Sequence, residues 1–138
     1  MQEKVRRQTK QRQLVLEAVR SRYDHPSAEQ IYLDVRTIDE RVSRGTVYRN
    51  LSCLCDAGEI KRIQVPGADR YDLRVDMHYH LLCVCCGTVC DAPFAYRAIC
   101  DREVSKRSGY LILRHGGLFE GICPACRAQK EKQTNEQL

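Results

Sequence analysis

Two cysteine pairs, Cys83-x-x-Cys86 and Cys123-x-x-Cys126, lie 40 residues apart, and His78-x-His80 comes just before the first. No other feature constrains the fold of this chain as strongly. Two such pairs at this separation predict one tetrahedral all-thiolate zinc site, because four soft anionic sulfurs close the shell of the metal. A closed shell has no place for His78 and His80. Two imidazoles on one strand face suggest a second, harder site, and two sites of different softness favour different metals.

The chain has 138 residues, enough for one ordinary domain or two small ones. A half of about 60 residues buries little apolar surface, so a metal staple is expected in at least one half. The net charge of +5 is concentrated at the front. Residues 1–22 carry seven Lys/Arg, Lys10 among them, against two acids, and the remainder sums to zero. Such a basic arm is an electrostatic footprint for nucleic acid or, more simply, a solvated helix face. The nine cysteines, the lack of an apolar leader and the absence of a membrane-length apolar run lead us to expect a reduced, cytoplasmic protein.

Apolar periodicity predicts a helix over 9–22 with Leu14, Val15, Ala18 and Val19 on one face. Ser27 and Gln30 form a capping-box pattern opening a second helix, with Ala28, Ile31, Tyr32 and Val35 inward. Ser43 is expected to cap a third, with Val47, Leu51 and Leu54 buried and Gly58 at its end. Ile60, Ile63 and Val65 then lead through Pro66-Gly67-Ala68-Asp69 into Arg70-Tyr71-Asp72, a hairpin. Three helices and a hairpin describe a winged helix-turn-helix. On its third helix Arg44, Tyr48 and Ser52 form one outward row, with Thr46 and Arg49 beside it, suited to double-stranded DNA. Cys53 and Cys55 read as packed thiols.

The second half reads as α/β. Strands are expected at 78–84 and 88–91, a helix at 94–107 with Phe94, Ile99 and Val104 inward, and extended segments at 110–113 and 118–122. A short helix from Cys123 and a frayed tail over 131–138 complete it. So few strands suggest completion by a second copy, making this a dimerisation domain with structural zinc. The fold class is therefore α+β, divided as 1–73, a hinge at 74–77, and 78–138. His78 and His80 alternate with Tyr79, so both imidazoles share a face. Asp72, Asp91 and His25 are available partners.

Taken in order, His25-Pro26-Ser27-Ala28-Glu29, Thr46-Val47-Tyr48-Arg49-Asn50-Leu51, Arg70-Tyr71-Asp72, His78-Tyr79-His80 and the two cysteine pairs resemble the ferric uptake regulator family of metal-dependent bacterial repressors. The resemblance runs from about Gln8 to Ala128 and is strongest to the peroxide-sensing branch. It implies a regulatory Fe(II) or Mn(II) site of His25, Asp72, His78, His80 and Asp91, a homodimer, and ring-carbon oxidation of His25 or His78 by peroxide at ferrous iron. The manganese form is expected to be unresponsive. A further site of the iron-uptake branch would need ligands where this chain has Met77, Tyr79 and Ile122. An iron- or zinc-responsive repressor is the nearest alternative and a non-haem iron enzyme the distant one; thiol oxidation is the rival sensing route. Cys85, Cys90 and Cys100 have no assigned role, and His115 is expected at the surface or in a core.

Overall fold

A computed structural model describes residues 2–136. The chain divides into two units, Met1–Asp76 and Met77–Leu138. The first is helical with a small wing, the second α/β, so the class is α+β.

In the first unit, α1 (Gln2–Arg20), α2 (Ala28–Ile38) and α3 (Arg44–Asp56) pack against one another, followed by the hairpin β1 (Lys61–Ile63) and β2 (Arg70–Asp72). The strands pair antiparallel, with Lys61 opposite Asp72 and Ile63 opposite Arg70. The Ser27 capping box forms as expected: its hydroxyl accepts from the Gln30 amide while the Gln30 side chain accepts from the Ser27 amide. Ser43 caps α3 by accepting from the Thr46 amide. Val15, Val19, Ile31, Val35, Val47, Leu51 and Leu54 are fully buried in one core, with Tyr71 of the wing closing one side. Leu14, Ala18, Ala28 and Cys55 pack at its edge. Burial pushes the Cys55 thiol up from its ordinary value, whereas Cys53 is exposed and is not the packed thiol expected. The first helix begins at Gln2, earlier than the apolar pattern did.

The second unit is a three-stranded sheet in the order β4-β3-β5, made of β3 (His78–Cys83), β4 (Val89–Ala95) and β5 (Leu118–Gly121), with α4 (Ala98–Ser108) and α5 (Pro124–Glu136). Strand β3 is central, antiparallel to β4 and parallel to β5. Pro93 lies in β4, which is tolerable because β4 is an edge strand.

Several expectations change here. Phe94 belongs to β4 and not to the helix, which starts only at Ala98. Ile99 and Val104 are about half exposed, and α4 has no buried residue among those described. Segment 110–113 forms no strand, and Tyr110, Leu111 and Leu113 stand exposed. A single copy offers these apolar groups no second layer to pack against. The expected frayed tail is helical through Glu136; residues 137 and 138 lie outside the described part.

Replacing Leu51, fully buried at the centre of the first unit, should test this packing directly. Leu51→Ala should cost about 2–5 kcal/mol, read as a lower urea midpoint with unchanged slope.

Candidate metal centre and nucleic-acid interface

The sulfurs of Cys83, Cys86, Cys123 and Cys126 all lie within 4.8 Å of one another. Zinc–sulfur bonds of about 2.3 Å in a tetrahedron put sulfurs about 3.8 Å apart, and Cys86 Sγ is 3.9 Å from Cys123 Sγ. Cys83 ends β3, and the turn to Cys86 is completed by Gly87, whose φ of 77° is a left-handed conformation that favours glycine. Its amide donates to the Cys83 carbonyl. The Cys123 amide donates to Cys83 Sγ at 3.3 Å, tying the start of α5 to the end of β3.

The amides of Cys123, Cys86 and Cys85 hold the Cys83 thiol down to about 6, the Cys123 amide contributing most. Cys86 is also lowered, first by the Thr88 hydroxyl. Cys126 is pushed up to about 12, first by its hydrogen bond to Cys123 and then by burial. Four crowded sulfurs cannot all ionise unaided, and Cys126 keeps its proton when no cation is present. The donor set therefore fits a divalent thiophilic metal, and zinc foremost. Cys85, Cys90 and Cys100 are exposed and stand apart from it.

The histidines and aspartates form two half-sites, one in each unit. In the first, the Pro26 carbonyl accepts from the Tyr71 amide and Ser27 bridges Arg70, which brings His25 beside the end of β2. His25 Nε2 is 3.2 Å from Asp72 Oδ2, both side chains are buried, and the other Asp72 oxygen accepts from the Arg74 amide. His25 itself adopts φ 53°, the left-handed region, so this corner is held under some backbone strain.

In the second unit, His78 Nε2 and His80 Nε2 approach the same oxygen of Asp91, at 3.2 and 3.5 Å. The register explains how. Between the pairs His78↔Ala95 and His80↔Asp91, β3 advances two residues while β4 advances four, a bulge that turns Asp91 toward both rings. Two imidazole nitrogens and a carboxylate oxygen facing one point need a cation or protons between them. Imidazole with carboxylate suits divalent iron or manganese better than the soft sulfur set does.

On α3 the outward row is present, but its members are already engaged. Arg44 makes two hydrogen bonds to Glu29, at 2.9 and 3.0 Å, and its guanidinium lies 4.6 Å from the Tyr32 ring centroid. That pairing holds Glu29 below, and raises Arg44 above, their ordinary values. Tyr48 also donates to Glu29, Arg49 donates to Thr46, and Ser52 accepts from Arg62. Lys10 stands exposed on α1. A cleft of about 720 Å³ lies between the middle of α1 and α3, lined by Gln8, Arg12, Thr46, Arg49 and Asn50 among others. The pairing of Glu29 with Arg44 has no local sequence signal, since the acid stands 15 residues before the arginine and on another helix.

Two thiolate knuckles, paired imidazole–carboxylate half-sites and a winged helix-turn-helix define a metal-responsive DNA-binding regulator. The ferric uptake regulator family profile matches residues 3–116, and the chain belongs to that family of transcriptional regulators. It is 36% identical over 122 residues to the transcriptional regulator FurA of Mycobacterium tuberculosis, covering 87% of this chain and 82% of that one. It is 28% identical over 120 residues to the peroxide-responsive repressor PerR of Staphylococcus aureus, covering 86% and 81%. Its fold is similar to a peroxide stress regulator of Campylobacter jejuni, with TM-score 0.76, 26% identity and coverage of 91% and 95%. It is similar also to the ferric uptake regulator of Helicobacter pylori, described as having three functional metal-binding sites, with TM-score 0.73, 28% identity and coverage of 86% and 80%. Among the described residues no helix is long and apolar enough to cross a membrane.

Two outcomes test these sites. In metal-free protein near neutral pH, iodoacetamide should label exposed, acid-shifted Cys86 well before Cys126, and zinc should protect both, as read by peptide mass mapping. Glu29→Gln should release Arg44 and strengthen binding to non-specific duplex DNA modestly, within about fivefold for an exposed pair, in a fluorescence titration.

Proposed function

We propose that the chain is a metal-dependent transcriptional repressor that senses peroxide, and that one Fe(II) or Mn(II) ion takes ligands from both half-sites: His25 and Asp72 with His78, His80 and Asp91. The observation that carries this reading is the convergence of His78 and His80 on one oxygen of Asp91, in the same unit as a separate all-sulfur cluster. Sulfur serves structure, and imidazole with carboxylate serves sensing. Five N/O ligands leave one position open on a six-coordinate ion.

Taking ligands from each unit, the ion favours one arrangement about a hinge at 74–77. DNA that fits that arrangement must in turn favour the ion, since coupling is reciprocal. Regulators of this family bind DNA and dimerise, and the exposed Ile99, Val104, Leu111 and Leu113 suit burial in a homodimer. In the dimer, two copies of α3 would meet half-sites on double-stranded DNA, with Arg44, Thr46, Tyr48, Arg49, Ser52 and Lys10 as contacts. Arg44 must exchange Glu29 for a phosphate or a guanine edge to do so. The protein is read as cytoplasmic and not as an enzyme, in keeping with relatives named as transcriptional regulators.

Ferrous iron, when bound, supplies the reduction of peroxide that manganese does not readily perform. The ring carbons of His25 and His78 are the targets beside it, and a ligand oxidised there releases the ion and ends repression. Tyr79 supports the peroxide branch over the iron-uptake branch: its hydroxyl is bonded to His115 and the Arg97 amide, and a phenol so engaged is a poor metal ligand. A second reading, an iron- or zinc-responsive regulator, is favoured by the similarity to the ferric uptake regulator of Helicobacter pylori, at the same 28% identity as to the peroxide-responsive repressor.

Titration of operator-containing DNA with Fe(II)- and Mn(II)-loaded protein, before and after peroxide, separates these readings. Either metal should raise affinity by about 5- to 150-fold. Peroxide should abolish that gain for iron alone, with one added oxygen on the peptides holding His25 or His78. Peroxide-insensitive binding would favour the second reading, and loss of binding that follows zinc release would favour thiol oxidation.

A further inference from the structure

One part-buried network in the second unit is used by neither metal site. Tyr79 sits on β3 between His78 and His80 and is only 5% exposed. By strand alternation its ring points to the opposite face from theirs. There its hydroxyl lies 2.5 Å from His115 Nε2, while His115 Nδ1 lies 2.6 Å from Asp101 Oδ1. The other Asp101 oxygen accepts from the Tyr96 hydroxyl, which itself accepts from the His115 amide.

The direction of each hydrogen bond follows from Asp101. Its carboxyl is held below the ordinary range, first by the Tyr96 hydroxyl and then by His115, so it is ionised and can only accept. His115 Nδ1 therefore donates to Asp101, and in the neutral ring the Nε2 lone pair is the one that accepts from the Tyr79 hydroxyl. The Arg97 amide occupies the phenol oxygen from another side at 3.1 Å. The ring is walled by Phe94, Phe119 and Tyr96, with centroids 5.1 to 5.8 Å away. Gly117 closes over it so tightly that a Cβ there would stand 2.1 Å from a ring carbon. The chain has no tryptophan to serve as a competing donor.

We propose that Tyr79 is a redox-active residue, a one-electron donor whose phenolic proton passes to His115 Nε2 as the electron leaves. Oxidised phenol is a strong acid, so its oxidation is easiest where a base already holds the proton at hydrogen-bond distance. Asp101 orients that base and stabilises the imidazolium that forms, as a buried carboxylate does for an imidazole in acyl transfer. The oxidant is of the hydroxyl-radical class, produced when ferrous iron reduces peroxide; that source rests on the proposed function. In the balanced step the Tyr79 hydroxyl loses its electron to the hydroxyl radical, which becomes hydroxide. The proton moves to His115, and a neutral tyrosyl radical remains beside an imidazolium. Each such event spares a ring carbon of His25 or His78, so Tyr79 sets how much peroxide the histidine sensor must meet before it is spoiled.

The test uses the full, zinc-loaded chain in two arms, with zinc content and circular dichroism confirming that each variant is folded. In the first, without iron, azide radicals from pulse radiolysis oxidise exposed tyrosines such as Tyr23 and Tyr110, and the spin should migrate to the easier donor. A long-lived tyrosyl signal in electron paramagnetic resonance is expected, lost in Tyr79→Phe and also in His115→Asn, which keeps the phenol but removes its base. An equally persistent signal in Tyr79→Phe overturns the proposal. In the second arm, Fe(II) and peroxide should oxidise more His25 and His78 in Tyr79→Phe than in the parent, by mass spectrometry. Histidine oxidation that occurs in both and to the same extent overturns it as well. Histidine oxidation absent from both, with a positive azide arm, supports the donor and overturns the iron reading instead.

Discussion

Four sulfurs crowded within 4.8 Å cannot all be anionic unless a cation lies among them, and the second unit depends on that constraint. Among the described residues the sheet has only three strands and α4 has no buried residue. The link from Cys83 at the end of β3 to Cys123 at the start of α5 is the closure that a fourth strand or a thicker core would otherwise supply. Neighbouring thiols respond in opposite ways: backbone amides draw Cys83 down to about 6, while a hydrogen bond to Cys123 pushes Cys126 up to about 12. A metal bound there replaces a proton and holds the strand on which everything else is arranged.

That strand does three jobs by alternation. His78 and His80 face Asp91 on one side, Tyr79 faces His115 on the other, and Cys83 ends the strand at the sulfur cluster. A strand carries this mixed load because successive side chains diverge. The bulge in β4 adds what plain alternation lacks, a carboxylate displaced far enough along to serve both imidazoles. In the first unit the equivalent economy lies at His25. The chain turns there through a left-handed φ, Pro26 is tied to Tyr71, and the imidazole arrives beside Asp72.

The recognition helix shows how an exposed face can be preset. Glu29 of α2 holds Arg44 and Tyr48 of α3, so two of the groups suited to DNA begin in an internal pairing. A phosphate competing for Arg44 meets an exposed ion pair, which is weak and easily exchanged. The pairing thus aligns the guanidinium at small cost to binding, and it also disfavours loose association with the wrong polyanion.

Much of this was legible in the residues alone. Spacing of the cysteine pairs specified the sulfur site, because ligand chemistry and a two-residue spacer are local facts. Capping at Ser27 and Ser43 and the buried faces of α2 and α3 followed from helical periodicity, which needs no knowledge of partners. Alternation about Tyr79 put His78 and His80 on one face. Tertiary structure decided the rest. It placed Phe94 in β4 and left Ile99 and Val104 half exposed, since a helical pattern does not reveal whether a layer exists to receive it. It paired Glu29 with Arg44, turned His115 from an unassigned residue into the base behind Tyr79, and aimed Asp91 through a bulge. Each of these depends on residues distant in sequence meeting in space, and no local pattern encodes such a meeting.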